Sequence, residues 1–499
     1  MDQKAIVREI DYLFFFSLLL LLATLSYLYY YKHKLSKNPP LPPGPFAWPI
    51  VGNIFQMGRD LHSILANLAR THGPLMSLRL GTQLNIIASS PAAASEILKT
   101  HDRILSGRYV THASPIINPK LNFSIGGAPE CNDHWRSLRT ICKADLFSAK
   151  VLESQKHIRE KKVRELVSFL GSKEGDIVNL VGTVYITVTN ILSNVIFSMD
   201  FLDFEGKGMG KELRKFIDEM AELMITPDLS NLYPILGALD FQGIQKKRDQ
   251  LIENFIAIWE DIIKKRQKQE SAILVHGDVL DTLIKDGHTN DQINQLIMEL
   301  LMAGTVSTSI VIEWAMAELM KNQNVMDKLH DELERGIGTD IVKESHLAHL
   351  PYLEACVKET LRLHPPGPLL LPHRALQTCQ VMGYTVPKNS QVLVNVWAIG
   401  RDPMIWNDPL SFKPERFLDS CLDIKGNNFD YMPFGAGRKI CPGQPMAIKQ
   451  VPFILALLLH SFDWFLPGNM NSTELDMNDH FSLTLRKKQP LQLIPKGRK

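Results

Sequence analysis

Residues 433–447 read PFGAGRKICPGQPMA, the most specific signal in the chain. A single cysteine, Cys441, lies among glycines and prolines. Glycine lets backbone approach a ligand closely, so several together indicate a tight loop around a bulky group. A helix beginning after Cys441 would aim unpaired N–H groups at the sulfur and stabilise its thiolate. Arg438, three residues earlier, could meet an anionic group of the same ligand. A structural cysteine in a turn is the plainer alternative, and the length of the run argues against it.

The string F-G-x-G-R-x-x-C-x-G, from Phe434 to Gly443, resembles the haem-binding loop of the cytochrome P-450 family. The resemblance implies haem b as cofactor, with Cys441 as the proximal thiolate ligand of its iron, the axial type that favours O–O cleavage. Phe434 and Arg438 would be cofactor-binding. The family's other motifs follow in order. Glu359-Thr-Leu-Arg362 lies in PYLEACVKETLRLHPP, where i, i+3 spacing puts both charges on one helix face. Such a pair alone is weak evidence. With Arg416, in Pro414-Glu-Arg-Phe417, it resembles the Glu-Arg-Arg network of the family, which implies a scaffolding role. Trp135 and Arg139 in HWRSLRTIC resemble the pair that contacts a haem propionate. His373, in LLLPHRA, falls where relatives often carry a propionate-binding arginine, with Arg374 as the competing neighbour.

The resemblance implies a mainly α fold with a minor β component, the cytochrome P-450 fold, preceded by one N-terminal transmembrane helix. Helical periodicity around 60–72, 150–170, 245–270, 290–322 and 350–363 agrees with it. The runs Leu78 to Ala88 and Gln391 to Asn395 look like strands. Tyr12 to Tyr31 is twenty residues without a charge, roughly 30 Å as a helix and enough to span a bilayer. It ends in interfacial aromatics and lacks the small-residue exit of a cleaved signal. Lys32, Lys34 and Lys37 follow, so the positive-inside rule puts the body in the cytosol. The proline-rich stretch to Pro45 reads as a stiff spacer. The expected organisation is an anchor over 1–31, a linker over 32–45 and a catalytic domain over 46–499, held in the endoplasmic reticulum membrane. No second run is expected to reach spanning length.

Composition removes other classes. The chain has 499 residues, 45% hydrophobic and 22% charged, and its 55 Lys and Arg against 53 acids leave +2. That is ample for a large core and gives no general attraction to nucleic acid. Six cysteines without a CxxC pair support neither a disulfide framework nor a zinc ribbon.

The distal helix departs from the family pattern A/G-G-x-D/E-T-T/S. Residues 303–308 read Ala-Gly-Thr-Val-Ser-Thr: Ala303 and Gly304 match, Val306 replaces the acid, and Ser307 replaces the threonine. Small residues at 303 and 304 leave room for O2. Valine has no exchangeable proton, so proton delivery falls to Ser307, Thr308 or water. Two readings stay open here: tolerated drift, or specialised chemistry such as phenol coupling or radical rearrangement.

The implied activity is NADPH- and O2-dependent oxidation, with NADPH-cytochrome reductase as electron donor and a small hydrophobic substrate in an apolar pocket. By analogy that pocket draws on residues near 105–125, 220–240, 367–371 and 481–483. Asp228 could pair with a substrate ammonium, although capping a helix suits an aspartate better. The phrases CQVMGYTVP (379–387) and KESH (343–346) resemble plant enzymes that oxidise benzylisoquinoline alkaloids. WRSLR (135–139) and AMAEL (315–319) also resemble plant monoterpenol hydroxylases. An alkaloid is the favoured substrate. The alternatives are a monoterpenoid alcohol, a haem-thiolate isomerase or dehydratase, and a non-catalytic haem-bearing membrane protein.

Overall fold

The computed structural model describes residues 3–35, 39–118, 123–205, 210–237, 239–268 and 277–498. It opens with helix α1 (Gln3–Leu35), whose side chains from Tyr12 to Leu28 are apolar and exposed almost throughout. The side chains before Tyr12, and those of Lys32, Lys34 and Lys37, lie outside the described residues.

From Pro39 the chain is docked on the body. The carbonyls of Pro39 and Pro40 accept from the Thr385 hydroxyl (2.6 Å) and amide (2.8 Å). Those of Pro42 and Pro43 accept from the Ser77 hydroxyl (2.7 Å) and amide (2.8 Å). Proline has no amide donor but keeps its carbonyl, and these acceptors are all in use. The spacer expected over 32–45 therefore belongs to the body from Pro39 on.

Helix α2 (Leu61–His72) leads into β1 (Leu75–Leu80) and β2 (Gln83–Ala88), an antiparallel hairpin where the sequence suggested one strand. With β3 (Gly107–Arg108), β4 (His373–Arg374) and β5 (Gln391–Val394) they form a sheet ordered β1-β2-β5-β4-β3. Strands β2 and β5 run parallel from Asn85↔Gln391 to Ala88↔Val394, and β4 is antiparallel to both neighbours. This register sets Arg108 opposite His373.

The helical core contains α3 (Asp133–Ile141), α4 (Leu180–Phe197), α5 (Asn290–Lys321), α6 (Pro351–Leu363) and α7 (Gln444–Ser461). A capping box of Thr289 and Gln292 starts α5, satisfying two otherwise unpaired amides. Helices α4 and α5 form the most extensive helix pair. Both are long and apolar enough to cross a membrane, contrary to the expectation of a single such run, and both are buried in the core. A helix apolar on every side is a core helix when other elements surround it.

Two cores meet at the cysteine loop. Tyr431 and Met446 belong to the large helical core, while Met432 and Ala436 pack with Ile97, Leu98 and Val392 under the sheet. Both ends of the loop are thus held by packing.

Candidate active site

Cys441 sits where that loop turns into α7. Its amide donates to the Phe434 carbonyl at 3.0 Å, closing the loop, and the Phe434 ring packs half-buried on the helical core. Gly437 has φ +70°, and a Cβ there would lie 2.2 Å from the Leu98 carbonyl oxygen, so only glycine fits. The amides of Gly443 and Gln444 donate to the Cys441 sulfur. Burial pushes this thiol up, and the two amides together with the Arg139 guanidinium pull it back. Amides at a helix start aimed at sulfur suit a thiolate.

Beside the sulfur lies a group of cations. Arg108 is buried, donating Nε to the Gly126 carbonyl (3.0 Å) and Nη1 to those of Leu371 (2.6 Å) and Pro372 (3.1 Å). Arg139 donates Nη1 to the Ile440 carbonyl at 2.8 Å. Lys439 turns inward, its Nζ 4.7 Å from the Trp135 ring centre, with the Arg139 guanidinium 5.7 Å from the same ring. Burial lowers Arg108 to about 10. Lys439 falls to about 8 through burial and then repulsion by Arg108, and burial lowers Arg139 as well. Among the described residues none of the three has a carboxylate within ion-pair distance. Cations withdrawn from water cost several kcal/mol unless an anion joins them, so the site calls for a bulky anion carrying more than one negative charge. A thiolate-binding metal complex with two propionates fits this donor set.

Several site residues lie elsewhere than expected. Arg438 points outward, its Nε 3.2 Å from Asp102, with its side chain 43% exposed. The inward position belongs to Lys439, the last residue of the 3-10 turn Gly437–Lys439, about a third of a turn on from Arg438. Trp135 is buried, and its indole N–H is already given to the Ile125 carbonyl at 3.1 Å. His373 is buried and donates Nδ1 to the Leu105 carbonyl at 2.8 Å, with burial and then Arg108 driving its pKa well down. Its neighbour Arg374 leaves the other face of β4 toward Asn389 and Glu130, as strand alternation requires.

Glu359, Arg362 and Arg416 come together as a buried network. Arg362 grips both Glu359 oxygens at 2.7 Å, and Arg416 Nε reaches Glu359 at 3.2 Å. The two guanidiniums also hold the carbonyls of Gly400, Asn407, Asp408, Pro409 and Ser411.

The distal helix α5 opens between residues 302 and 307, where Ala303 is exposed although the helix is otherwise packed. Ser307 lies on the row of Ala303, and its hydroxyl donates to the Ala303 carbonyl at 2.7 Å. Thr308 is buried one step round and donates to the Gly304 carbonyl at 3.0 Å. Gly304 faces α4: a Cβ there would lie 3.1 Å from Leu192. Its smallness serves this close helix contact. Val306 packs on the helical core.

Sequence reading missed Arg108, Lys439 and a polar pair on α5. Glu299 and Gln295 stand one and two turns before Ala303 on the same row. Gln295 receives the Ile117 amide (2.8 Å) and donates to the Pro115 carbonyl (3.0 Å). Glu299 receives the amides of Ile125 (2.7 Å) and Gly126 (3.3 Å), the Ser124 hydroxyl and the Gln295 amide (2.8 Å). Residues 119–122, inside the loop expected to touch substrate, lie outside the described residues.

A helix-rich body with a cysteine at the start of α7, two amides and a guanidinium acting on its sulfur, and nearby cations without carboxylate partners among the described residues is what a haem-thiolate oxygenase requires. The chain belongs to the cytochrome P450 family, whose model matches residues 42–494. It is similar to the protein named "Probable (S)-N-methylcoclaurine 3'-hydroxylase isozyme 2" of Coptis japonica, 47% identical across 93% of this chain and 94% of that one. The (S)-N-methylcoclaurine 3'-hydroxylase isozyme 2 of Eschscholzia californica is 43% identical, covering 96% and 98%. Corytuberine synthase of Coptis japonica is 44% identical, covering 92% and 94%. The protein is thus a haem-thiolate monooxygenase that draws its electrons from a redox partner.

Proposed function

We propose that this chain oxidises a benzylisoquinoline alkaloid at the endoplasmic reticulum membrane, using O2 and electrons passed from NADPH by NADPH-cytochrome reductase. The observation that carries the reading is similarity across more than nine-tenths of the chain to proteins named for that alkaloid class. Cys441, with Arg108, Arg139, Lys439 and His373, would hold haem, which would supply oxygen activation when bound. The chain's own residues do the rest. Gly443, Gln444 and Arg139 favour the thiolate. Ala303 leaves space on the distal side. Ser307 presents its oxygen on the open row, ready to accept and pass a proton once its hydroxyl turns from the Ala303 carbonyl.

Two surfaces support the membrane location. One is the apolar face of α1. The other lies on the body, where Phe46, Trp48, Ile50 and Phe55 (78% exposed) neighbour Ile235 (91% exposed), Leu239 and Phe241. The Tyr233 hydroxyl reaches the Ile50 carbonyl at 3.3 Å, and the Leu232 carbonyl accepts from the Thr82 amide at 2.9 Å. An exposed apolar patch of this kind marks a lipid or protein contact, and here it adjoins the segment that follows the anchor.

The cation group gives a prediction about cofactor retention. Lys439→Met should speed transfer of haem to an acceptor protein by roughly tenfold, the worth of one charge-assisted contact. Arg438→Ala removes an exposed ion pair worth about 0–1 kcal/mol and should leave transfer nearly unchanged. Equal effects of the two substitutions would contradict the inward assignment of Lys439.

The function is tested by product mass. Membranes bearing the protein and a plant reductase are given NADPH and a panel of benzylisoquinolines, other alkaloids and monoterpenols. A benzylisoquinoline product with one added oxygen identifies a hydroxylase, and one that has lost two hydrogens identifies a coupling enzyme. Conversion of monoterpenols alone would overturn the alkaloid assignment.

A further inference from the structure

An alkaloid nitrogen is a basic amine, protonated near neutral pH as lysine is. Its charge must lose water to enter an apolar pocket, at high cost unless an anion receives it. Asp228 is not that anion. It caps the short helix Leu229–Leu232, accepting from the Ser230 amide (2.8 Å) and the Asn231 side chain (2.7 Å), and it pairs with His112 at 3.3 Å. Glu299 is differently placed. It stands one turn before Ala303 on the row of α5 that ends at Ser307, and it keeps exposed surface there. All four of its hydrogen-bond partners are neutral: two backbone amides, a hydroxyl and a carboxamide. Among the described residues no cation lies within ion-pair distance of it. Dipoles of this kind fix a carboxylate in position without cancelling its charge.

We propose that Glu299 receives the protonated nitrogen of the substrate and so selects amines for this active site. The inference rests on the alkaloid reading given above. One helical turn separates Glu299 from Ala303, about 6 Å along the axis, so the nitrogen is held that far along the helix from the oxidised atom. Burial raises the Glu299 carboxyl against the lowering by its donors. An ammonium beside it would draw it back down.

The test compares a tertiary-amine benzylisoquinoline with its neutral N-acyl counterpart, binding each to the haem-loaded protein by equilibrium dialysis. E299Q should weaken the amine roughly 10- to 100-fold, the range for a hydrogen bond to a charged group. The neutral ligand should stay within about twofold, since it never used the charge. E299D, which keeps the charge on a shorter arm, should recover part of the amine affinity. It also provides the comparison if E299Q loses cofactor. If both ligands weaken together, Glu299 is only a latch on residues 124–126 and the inference fails. It fails equally if E299Q binds the amine as the unchanged protein does. A wild-type protein that binds no amine overturns the alkaloid reading itself, a result distinct from either of these.

Discussion

Cys441→Ala is expected to remove the carbon monoxide difference band of a thiolate-bound haem and to reduce turnover to background. The loss should exceed the roughly 10- to 100-fold typical when a residue that only orients a metal ligand is removed. Arg139→Ala, which takes away one charge near the sulfur but leaves the ligand, is the graded comparison. Cys142 and Cys356 are poorly placed to substitute. Burial pushes the Cys142 thiol up to about 12. Cys356 lies on the buried face of α6, and its thiol is pushed well up by burial and by surrounding carboxylates. Two amides are aimed at the Cys441 sulfur and oppose the burial that pushes its thiol up, the arrangement that suits a thiolate once a cation binds it. A Cys441→Ala protein that kept the band would move the ligand elsewhere and undo the site.

What the sequence made legible was local. The cysteine loop, the Glu359–Arg362 pair and the main helices each depend on spacings of a few residues, and each is found where expected. What it hid depended on direction and on long-range register. Arg438 and Lys439 are adjacent cations, and which one faces inward is set by a turn with Gly437 at positive φ, a geometry no spacing rule supplies. Arg108 lies far from the cysteine in sequence and reaches the site only because β3 pairs with β4. Glu299 was hidden for another reason. Helix α5 is apolar around most of its surface, so periodicity marks no face. Only the opening at Ala303 shows which row looks into the site. The proline stretch misled because stiffness is a local property, whereas its docking on Ser77 and Thr385 is not.

Arg362→Ala is expected to be the most damaging substitution outside the cysteine loop. Glu359 and Arg362 are both almost completely buried, and removing one partner of such a pair costs about 3–5 kcal/mol because the other charge stays buried. Total stability for a folded domain is only about 5–15 kcal/mol. The guanidinium also holds three backbone carbonyls, those of Gly400, Pro409 and Ser411, and its central carbon lies 5.1 Å from the Trp406 ring centre. Trp406, Phe417 and Tyr431 pack together, and the Tyr431 hydroxyl donates to the Lys358 carbonyl on α6 at 2.9 Å. Tyr431 is three residues before Phe434, so loss of the network loosens the entry to the cysteine loop. Arg362→Lys keeps the charge but not the fork, and should fail nearly as badly. The measurement is the fraction of protein recovered with haem, together with its thermal midpoint. Turnover per haem-loaded molecule should change much less than either. A well-folded, fully loaded Arg362→Ala protein with lost turnover would instead place Arg362 in the chemistry, far from where the network puts it.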